Sequence, residues 1–301
     1  MDNINIGIDL GGHKISAGVV DFSGETAQLL ERATLPTPAG RKLDDVVGVF
    51  CGLISLWVAA GGSCNIGIGV PAFVDRDRRH AARMTNFPGC DGAALGDMLG
   101  TALKECGISA KIHLENDANC AALGEGAAGV AVGMKDFVVL TLGTGIGTGI
   151  VANGALLRGA HGMAGESGHM ALSMDPLLCR CGCGGQGHLE ELTSAEWVER
   201  RAKEYGLPGD FRVLWGMRGE NRKVDAIINT MLETLARGVA SLAATLDPEA
   251  LILSGGMSRA EGLEDEIRER TQKYLSDPLR PVFVLKTSEL GDAAAIIGAA
   301  M

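Results

Sequence analysis

Residues 4–20 read INIGIDLGGHKISAGVV, and residues 137–152 read FVVLTLGTGIGTGIVA. In the first stretch apolar side chains alternate up to Asp9. A glycine turn follows at Leu10-Gly11-Gly12-His13-Lys14, and a new apolar run begins at Ile15. The second stretch repeats the pattern around Gly143-Thr144-Gly145-Ile146-Gly147. Strand, glycine turn and strand read as a hairpin. Laid over one another without a gap, Leu10 falls on Leu142, Gly11 on Gly143 and Val19 on Val151. Each unit is followed by a third apolar run, TAQLLERATL in one and GALLRG in the other. The separation is too long for a solenoid repeat. The chain is therefore predicted to hold two related lobes, each opening on an antiparallel meander that carries one glycine loop.

The wider composition agrees with two lobes. At 301 residues and 46% hydrophobic content the chain exceeds the size at which one core usually stops growing. Aromatics make up 4% and glycine 44 residues, which predicts an aliphatic core with many close backbone approaches. A net charge of −10 argues against a nucleic-acid partner. The first residues lack the basic and apolar regions of a signal peptide, and no apolar run reaches the ~18 residues of a membrane span. A cytoplasmic protein is expected, with its cysteines reduced.

Glycine loops let a backbone come close to an anion, and successive N–H groups in such turns form anion-binding nests. Two of them at equivalent places in a duplication point to a polyphosphate. With so acidic a chain, backbone N–H groups and a bound Mg²⁺ must hold it. Asp9, at the end of the first strand beside its loop, is the candidate Mg²⁺ carboxylate, with turn capping as the alternative. Lys14 closes that loop and counts among the candidate nucleotide contacts. A third turn, Leu253-Ser254-Gly255-Gly256-Met257, lies between an apolar strand and a polar, helix-like stretch; such an arrangement can seat a nucleotide, but taken alone it reads first as an ordinary strand-to-helix turn.

Asn116-Asp117-Ala118-Asn119 sits where a short strand meets an Ala-rich helix. Asn and Asp are favoured helix caps. Asp117 is equally placed to act as a general base. A ligand rich in hydroxyls and poor in apolar area, a sugar, needs several Asn, Asp, Glu or His side chains on loops. Asn86, Asn116, Asp117, Glu166, His169 and Glu190 are such candidates. From His169 the chain reads HMALSMDPLLCRCGCGGQGHLE. His169, Cys181, Cys183 and His188 supply four N and S donors for a tetrahedral Zn²⁺, with Cys179 as substitute or bystander. A metal-free thiol cluster and a redox site are the alternatives. A closed zinc site would be structural and would brace the loop 169–188, together with Glu166 and Glu190.

The segments GIDLGGHK, GVPAFVD, NFPG, ENDANCAALGE, LGTGIGTGI, GAHGMAGESGHM, CGCGGQGHLE and DPEALILSGGM together resemble the ROK family of bacterial sugar kinases, over nearly the whole chain. The resemblance implies an α/β, two-lobed actin-like ATPase (ribonuclease H-like) fold with a nucleotide and sugar cleft. It implies ATP as phosphoryl donor, Asp117 as catalytic base, and sugar contacts from Asn86, Asn116, Glu166, His169 and Glu190. ATP-binding turns fall at Gly11, Gly12, Thr144, Gly145, Gly255 and Gly256. His169 would serve both sugar and zinc. Four positions depart from the family pattern. His13 replaces the usual Thr, His188 stands at the third zinc cysteine, two residues are inserted before the Cys pair, and Cys90 replaces an aromatic.

The resemblance puts the N-terminal lobe at 1–117 plus 290–301 and the C-terminal lobe at 118–289, in a homodimer or homotetramer. Glucose is the expected acceptor, with allose, N-acetylmannosamine and N-acetylglucosamine as alternatives. A sugar-responsive regulator without a DNA-binding domain is the non-enzyme alternative. AIINTMLETLARGVASLAATL predicts a long helix ended by Asp247-Pro248.

Overall fold

The computed structural model describes residues 4–75, 77–84, 87, 89–173, 181 and 183–301. The chain divides into two compact units. Unit 1 holds Met1–Gly133, Leu156–Ala164 and Asp292–Met301, and unit 2 holds Met134–Ala155 and Gly165–Gly291. Where the sequence reading draws the lobe boundary at 117, the chain stays with unit 1 to Gly133 and returns to it over 156–164.

Unit 1 opens with β1 (Ile4–Leu10), β2 (Lys14–Asp21) and β3 (Gln28–Pro36), the meander expected from the alternation, followed by α1 (Leu43–Ile54) and β4 (Ser63–Val70). A small hairpin, β5 (Ala72–Val74) and β6 (Ala81–Met84), precedes α2 (Leu95–Glu105), β7 (Ser109–Asn116) and α3 (Asp117–Ala128). The main sheet runs β3-β2-β1-β4-β7. β1 pairs antiparallel with β2 and parallel with β4, and β4 pairs parallel with β7.

Unit 2 repeats this plan. β8 (Phe137–Leu142), β9 (Ile146–Ala152) and the short β10 (Ala155–Leu156) lead to α4 (Glu190–Thr193), α5 (Ala195–Glu204), α6 (Phe211–Gly216) and α7 (Arg222–Leu246). Then come β11 (Ala250–Ser254), α8 (Leu263–Thr271) and β12 (Leu285–Thr287). The sheet order is β10-β9-β8-β11-β12, the counterpart of the first sheet position by position. The duplication read from the two glycine hairpins is thus a duplication of whole sheets.

Pairing corrects one detail of the ungapped alignment. In the first hairpin Leu10 faces Ile15, leaving four residues in the loop, whereas Leu142 faces Ile146, leaving three. Val19 therefore corresponds to Ile150 rather than Val151. The shift matters because one residue of slip moves a side chain to the other face of a sheet.

The long helix appears as α7. Asn221 caps its start by accepting from Lys223 and Val224 N–H, and Asp247 ends it in the left-handed region at φ 44°. Val224, Ile227, Ile228, Met231, Leu235, Val239 and Leu242 form its buried stripe at helical spacing.

Glycine packing in unit 1 bears on the site. Alternation puts Ile6, Ile8 and Leu10 of β1 into one core, while Gly7 lies on the opposite face. There the C-terminal helix, Asp292–Ala299, rests on bare backbone. A Cβ on Gly7 would collide with the Ile296 carbonyl, and one on Gly67 with that of Ala299. The same helix meets α3 through Gly124, against the Ala294 carbonyl, and Gly298, against that of Cys120. His113 Nε2 donates to the Ala299 carbonyl at 3.0 Å, fixing the helix end.

These contacts hold α3 in place, and with it Asp117. Gly124→Ala should improve helix propensity by up to ~1 kcal/mol. The collision with a backbone carbonyl outweighs that gain, since overpacking costs ~1–3 kcal/mol even where flexible side chains can yield. The expected outcome is a lower denaturant midpoint, read by urea unfolding.

Candidate active site and metal centre

In unit 1, β7 delivers Glu115 and Asn116 to the start of α3. The Asn116 carbonyl oxygen Oδ1 accepts from Ala118 N–H at 3.0 Å and Asn119 N–H at 3.1 Å, so Asn116 is the helix cap. Its amide Nδ2 donates to the Ala72 carbonyl at 3.4 Å. Asp117 is therefore the first helical residue, where the helix dipole favours its anion. Its Oδ1 accepts from Ala118 N–H at 2.9 Å.

Asp9 is the penultimate residue of β1 on the same sheet. Burial, then the charges of Asp117 and Asp292, push its carboxyl from the ordinary 3.8 up to about 7, against the opposing pull of Lys14 and Arg32. Lys14 and Arg32 both pair with Asp292, Arg32 at 3.3 Å. In the first glycine loop, Gly11 N–H donates to the Lys14 carbonyl at 3.0 Å, and Thr37 Oγ1 donates to the Gly11 carbonyl at 2.7 Å. A carboxylate so reluctant to ionise, beside a second acid, suits a divalent cation. Asp9 fits the Mg²⁺ reading in that respect.

In unit 2, the glycine loop Gly143–Gly145 is held on both flanks by residues just beyond the Cys–His segment. Glu190 Oε2 accepts from Ile146 N–H at 2.8 Å, and Ala195 N–H donates to the Gly143 carbonyl at 2.8 Å. Gly145 has no room for a Cβ beside the Glu190 carboxylate. Glu190, assigned by sequence to a sugar, thus also braces the loop that carries Thr144 and Gly145.

The third turn differs from the strand-turn-helix expected. Gly255, at φ +86°, seats against the Leu142 carbonyl, where a Cβ would clash. Only a short 3₁₀ turn, Met257–Arg259, follows Gly256, and α8 starts later, at Leu263. The chain therefore makes one extra turn between Gly256 and the helix.

Glu166 and His169 lie together, with His169 Nε2 3.6 Å from Glu166 Oε2. Burial first raises the Glu166 carboxyl above its usual value, and Glu190 adds to the rise, while His169 lowers it. The other ring nitrogen of His169, Nδ1, faces His188 Nδ1 at 3.3 Å and Cys181 Sγ at 3.6 Å, and Cys183 Sγ lies 3.4 Å from His188 Nδ1. All four donor atoms fall within 4.8 Å of one another.

Tetrahedral zinc with bonds of roughly 2.05 Å to N and 2.3 Å to S sets its donors about 3.3–3.6 Å apart for N–N and N–S pairs. The four residues fit that ion. With Nε2 turned toward Glu166, Nδ1 of His169 is the ring nitrogen that faces the other three donors. Burial pushes the Cys181 thiol up to about 12, while the Cys183 N–H opposes this by donating to Cys181 Sγ at 3.5 Å. A metal would therefore have to displace that proton. Elemental analysis should find close to one zinc per chain, and Cys183→Ser should lower both metal content and sugar affinity. Zinc-free native protein would refute the site.

Asn86 and Cys179 lie outside the described residues. Sequence reasoning passed over Glu115, Arg78 and Arg158. Glu115 is only 4% exposed, with Arg158 Nη2 at 2.8 Å and Arg78 Nη2 at 3.4 Å from its Oε2. The signal was a charged residue at the end of a strand, adjoining a helix cap.

No helix among the described residues is long and apolar enough to cross a membrane. The sequence profile of the ROK family matches residues 5–301. A glucokinase of Thermotoga maritima is 34% identical over 98% of this chain and 95% of its own. An N-acetyl-D-glucosamine kinase of Yersinia enterocolitica is 30% identical over 98% and 97%. Among solved structures, a ROK family glucokinase from Streptomyces griseus in complex with glucose and AMPPNP superposes with a TM-score of 0.81, at 31% identity over 99% of this chain and 98% of that one.

Proposed function

This chain belongs to the ROK family, and from that premise we propose that it transfers the γ-phosphate of ATP to a hydroxyl of a hexose, with glucose as the preferred acceptor. The observation that carries the reading is the pairing, within unit 1, of a metal-suited acid at a glycine loop with a second acid at a helix start. Burial and the Asp117 charge both oppose ionisation of Asp9, a cost that a bound cation would offset, and the α3 cap is made by Asn116.

In this reading the two units are the two lobes of the kinase. Asp117 accepts the acceptor hydroxyl's proton as the phosphoryl group arrives. The transition state is loose, so the work is mostly positioning and electrostatics, and a carboxylate held ionised is adequate. Asp9 would hold Mg²⁺, which supplies charge neutralisation for the phosphates. Gly11, Gly12, Thr144 and Gly145 give close backbone approach to ATP, with Lys14, Gly255 and Gly256 as further contacts. Asn86, Asn116, Glu166, His169 and Glu190 bind sugar hydroxyls. His169, Cys181, Cys183 and His188 would hold a structural zinc that stiffens the segment carrying Glu190.

The similarity to an N-acetyl-D-glucosamine kinase, close to that for the glucokinase, supports a second reading with an N-acetylhexosamine as acceptor. ADP release with ATP, Mg²⁺ and a panel of glucose, allose, N-acetylglucosamine and N-acetylmannosamine tests both. Glucose should give the highest kcat/KM. No turnover with any hexose would refute the kinase reading.

A further inference from the structure

Beneath the start of α3 lies a buried charge that neither phosphate nor sugar recognition calls for. The Glu115 side chain is 5% exposed and divides its two oxygens between two tasks. Oε2 accepts from Arg158 through Nε at 2.9 Å and Nη2 at 2.8 Å, a two-pronged contact, and lies 3.4 Å from Arg78 Nη2. Oε1 accepts from Asn116 N–H at 3.1 Å and from Asn119 Nδ2 at 3.0 Å, both at the start of α3. Arg78 is itself tied to β7, donating from Nε to the Leu114 carbonyl at 3.1 Å.

Arg158 comes from the segment 156–164, which returns to unit 1 after β10. That segment closes on itself where Ala164 N–H donates to the Arg158 carbonyl at 3.1 Å. A buried carboxylate needs partners, and here each partner belongs either to this returning segment, to Arg78, or to the turn that carries Asp117.

We propose that Glu115 and Arg158 form a positioning pair for the Asp117 carboxylate. The guanidinium fork fixes the Glu115 carboxylate, and its other oxygen fixes Asn116 and Asn119 on either side of Asp117. Neither Glu115 nor Arg158 touches the substrate in this role. Each acts through Asp117, so the inference rests on Asp117 being the base.

The rotational freedom of a carboxylate at a proton-transfer distance is costly. Misplacement of about 1 Å can lower turnover by about 10²-fold. Arg158→Gln should therefore lower kcat by about 10–100-fold while the KM values for glucose and ATP stay within about threefold. Arg158→Lys, which keeps the charge but loses the fork, should recover part of the loss. Glu115→Gln, which retains shape and the acceptor at Oε1, should mirror Arg158→Gln and guards against a variant that fails to fold.

The deciding measurement is the cycle with Asp117→Asn. In the Asp117→Asn background, Arg158→Gln should cost less than about threefold further in kcat. A full further loss there, a rise in KM that accounts for the effect, or unchanged kcat in Arg158→Gln alone would each overturn the positioning role. If instead Asp117→Asn by itself keeps near-native turnover, the base reading fails first, and the positioning role falls with it.

Discussion

Asp117→Asn should lower kcat by about 10²–10⁴-fold, the usual contribution of a general base, with little change in folding stability. The stability half of this expectation follows from the helix terminus. Capping of α3 belongs to Asn116, whose Oδ1 receives two backbone N–H groups, so the substitution leaves the cap intact. Loss of an anion near the helix N-terminus costs ~0.3–1 kcal/mol. Against this, the variant removes a charge that repels Asp9. The two effects oppose one another, and the denaturant midpoint should barely move. Asn is nearly isosteric with Asp and can still hold the acceptor hydroxyl, so KM for the sugar should change less than kcat. Steady-state kinetics beside urea unfolding checks both halves. Near-native turnover would reduce Asp117 to a first-turn residue with no chemical duty.

The first-lobe meander, the second glycine hairpin and the long helix were legible because each rests on local pattern. Period-2 alternation around Gly11 and Gly143, and the 3.6-residue stripe of α7 between Asn221 and Asp247, need no tertiary knowledge. The loop lengths were less so. Residues 11–14 and 143–145 are both glycine-rich, and only strand pairing shows that the second loop is one residue shorter. The turn at Gly255 also looked like a helix entry, because polar residues follow it. Its geometry is set by the Leu142 carbonyl, which lies more than a hundred residues away in sequence.

The Cys–His cluster was readable from residue type. His169, Cys181, Cys183 and His188 are donors in a short span, and the fold brings their ligand atoms together. The Glu115–Arg158 pair was hidden for the opposite reason. Its partners are 43 residues apart, and a lone arginine between Leu157 and Gly159 carries no local signal. Likewise the contacts of Gly7 and Gly67 with the C-terminal helix depend on backbone from the far end of the chain. Composition anticipates close approaches of this kind without saying where they fall.

Asp9→Asn should make the protein more stable at pH 8 and less active. Its carboxyl ionises near 3.8 in ordinary surroundings and at about 7 in the fold. Between those values the folded chain keeps a proton that the unfolded chain has released. Stability therefore falls as pH rises from about 4 to about 7, and the loss is complete above that range. The asparagine variant has no such proton to lose. Its advantage should be absent below about pH 4, grow through the window and level off above pH 7, at on the order of 2–4 kcal/mol. The lower part of that span allows for water reaching the portion of Asp9 that remains open. Lys14 and Arg32 already pull the carboxyl down, so replacing either by a neutral residue should widen the window. A cation at Asp9 would favour the ionised form, so Mg²⁺ with ATP should stabilise the parent more at pH 8 than at pH 6, an effect the variant should lack. Urea unfolding of both proteins from pH 4 to pH 8.5, with and without Mg²⁺ and AMPPNP, reads all of this. Parallel stability curves for parent and variant would show that Asp9 ionises normally, and the case for a metal-holding acid at the first glycine loop would lose its physical basis.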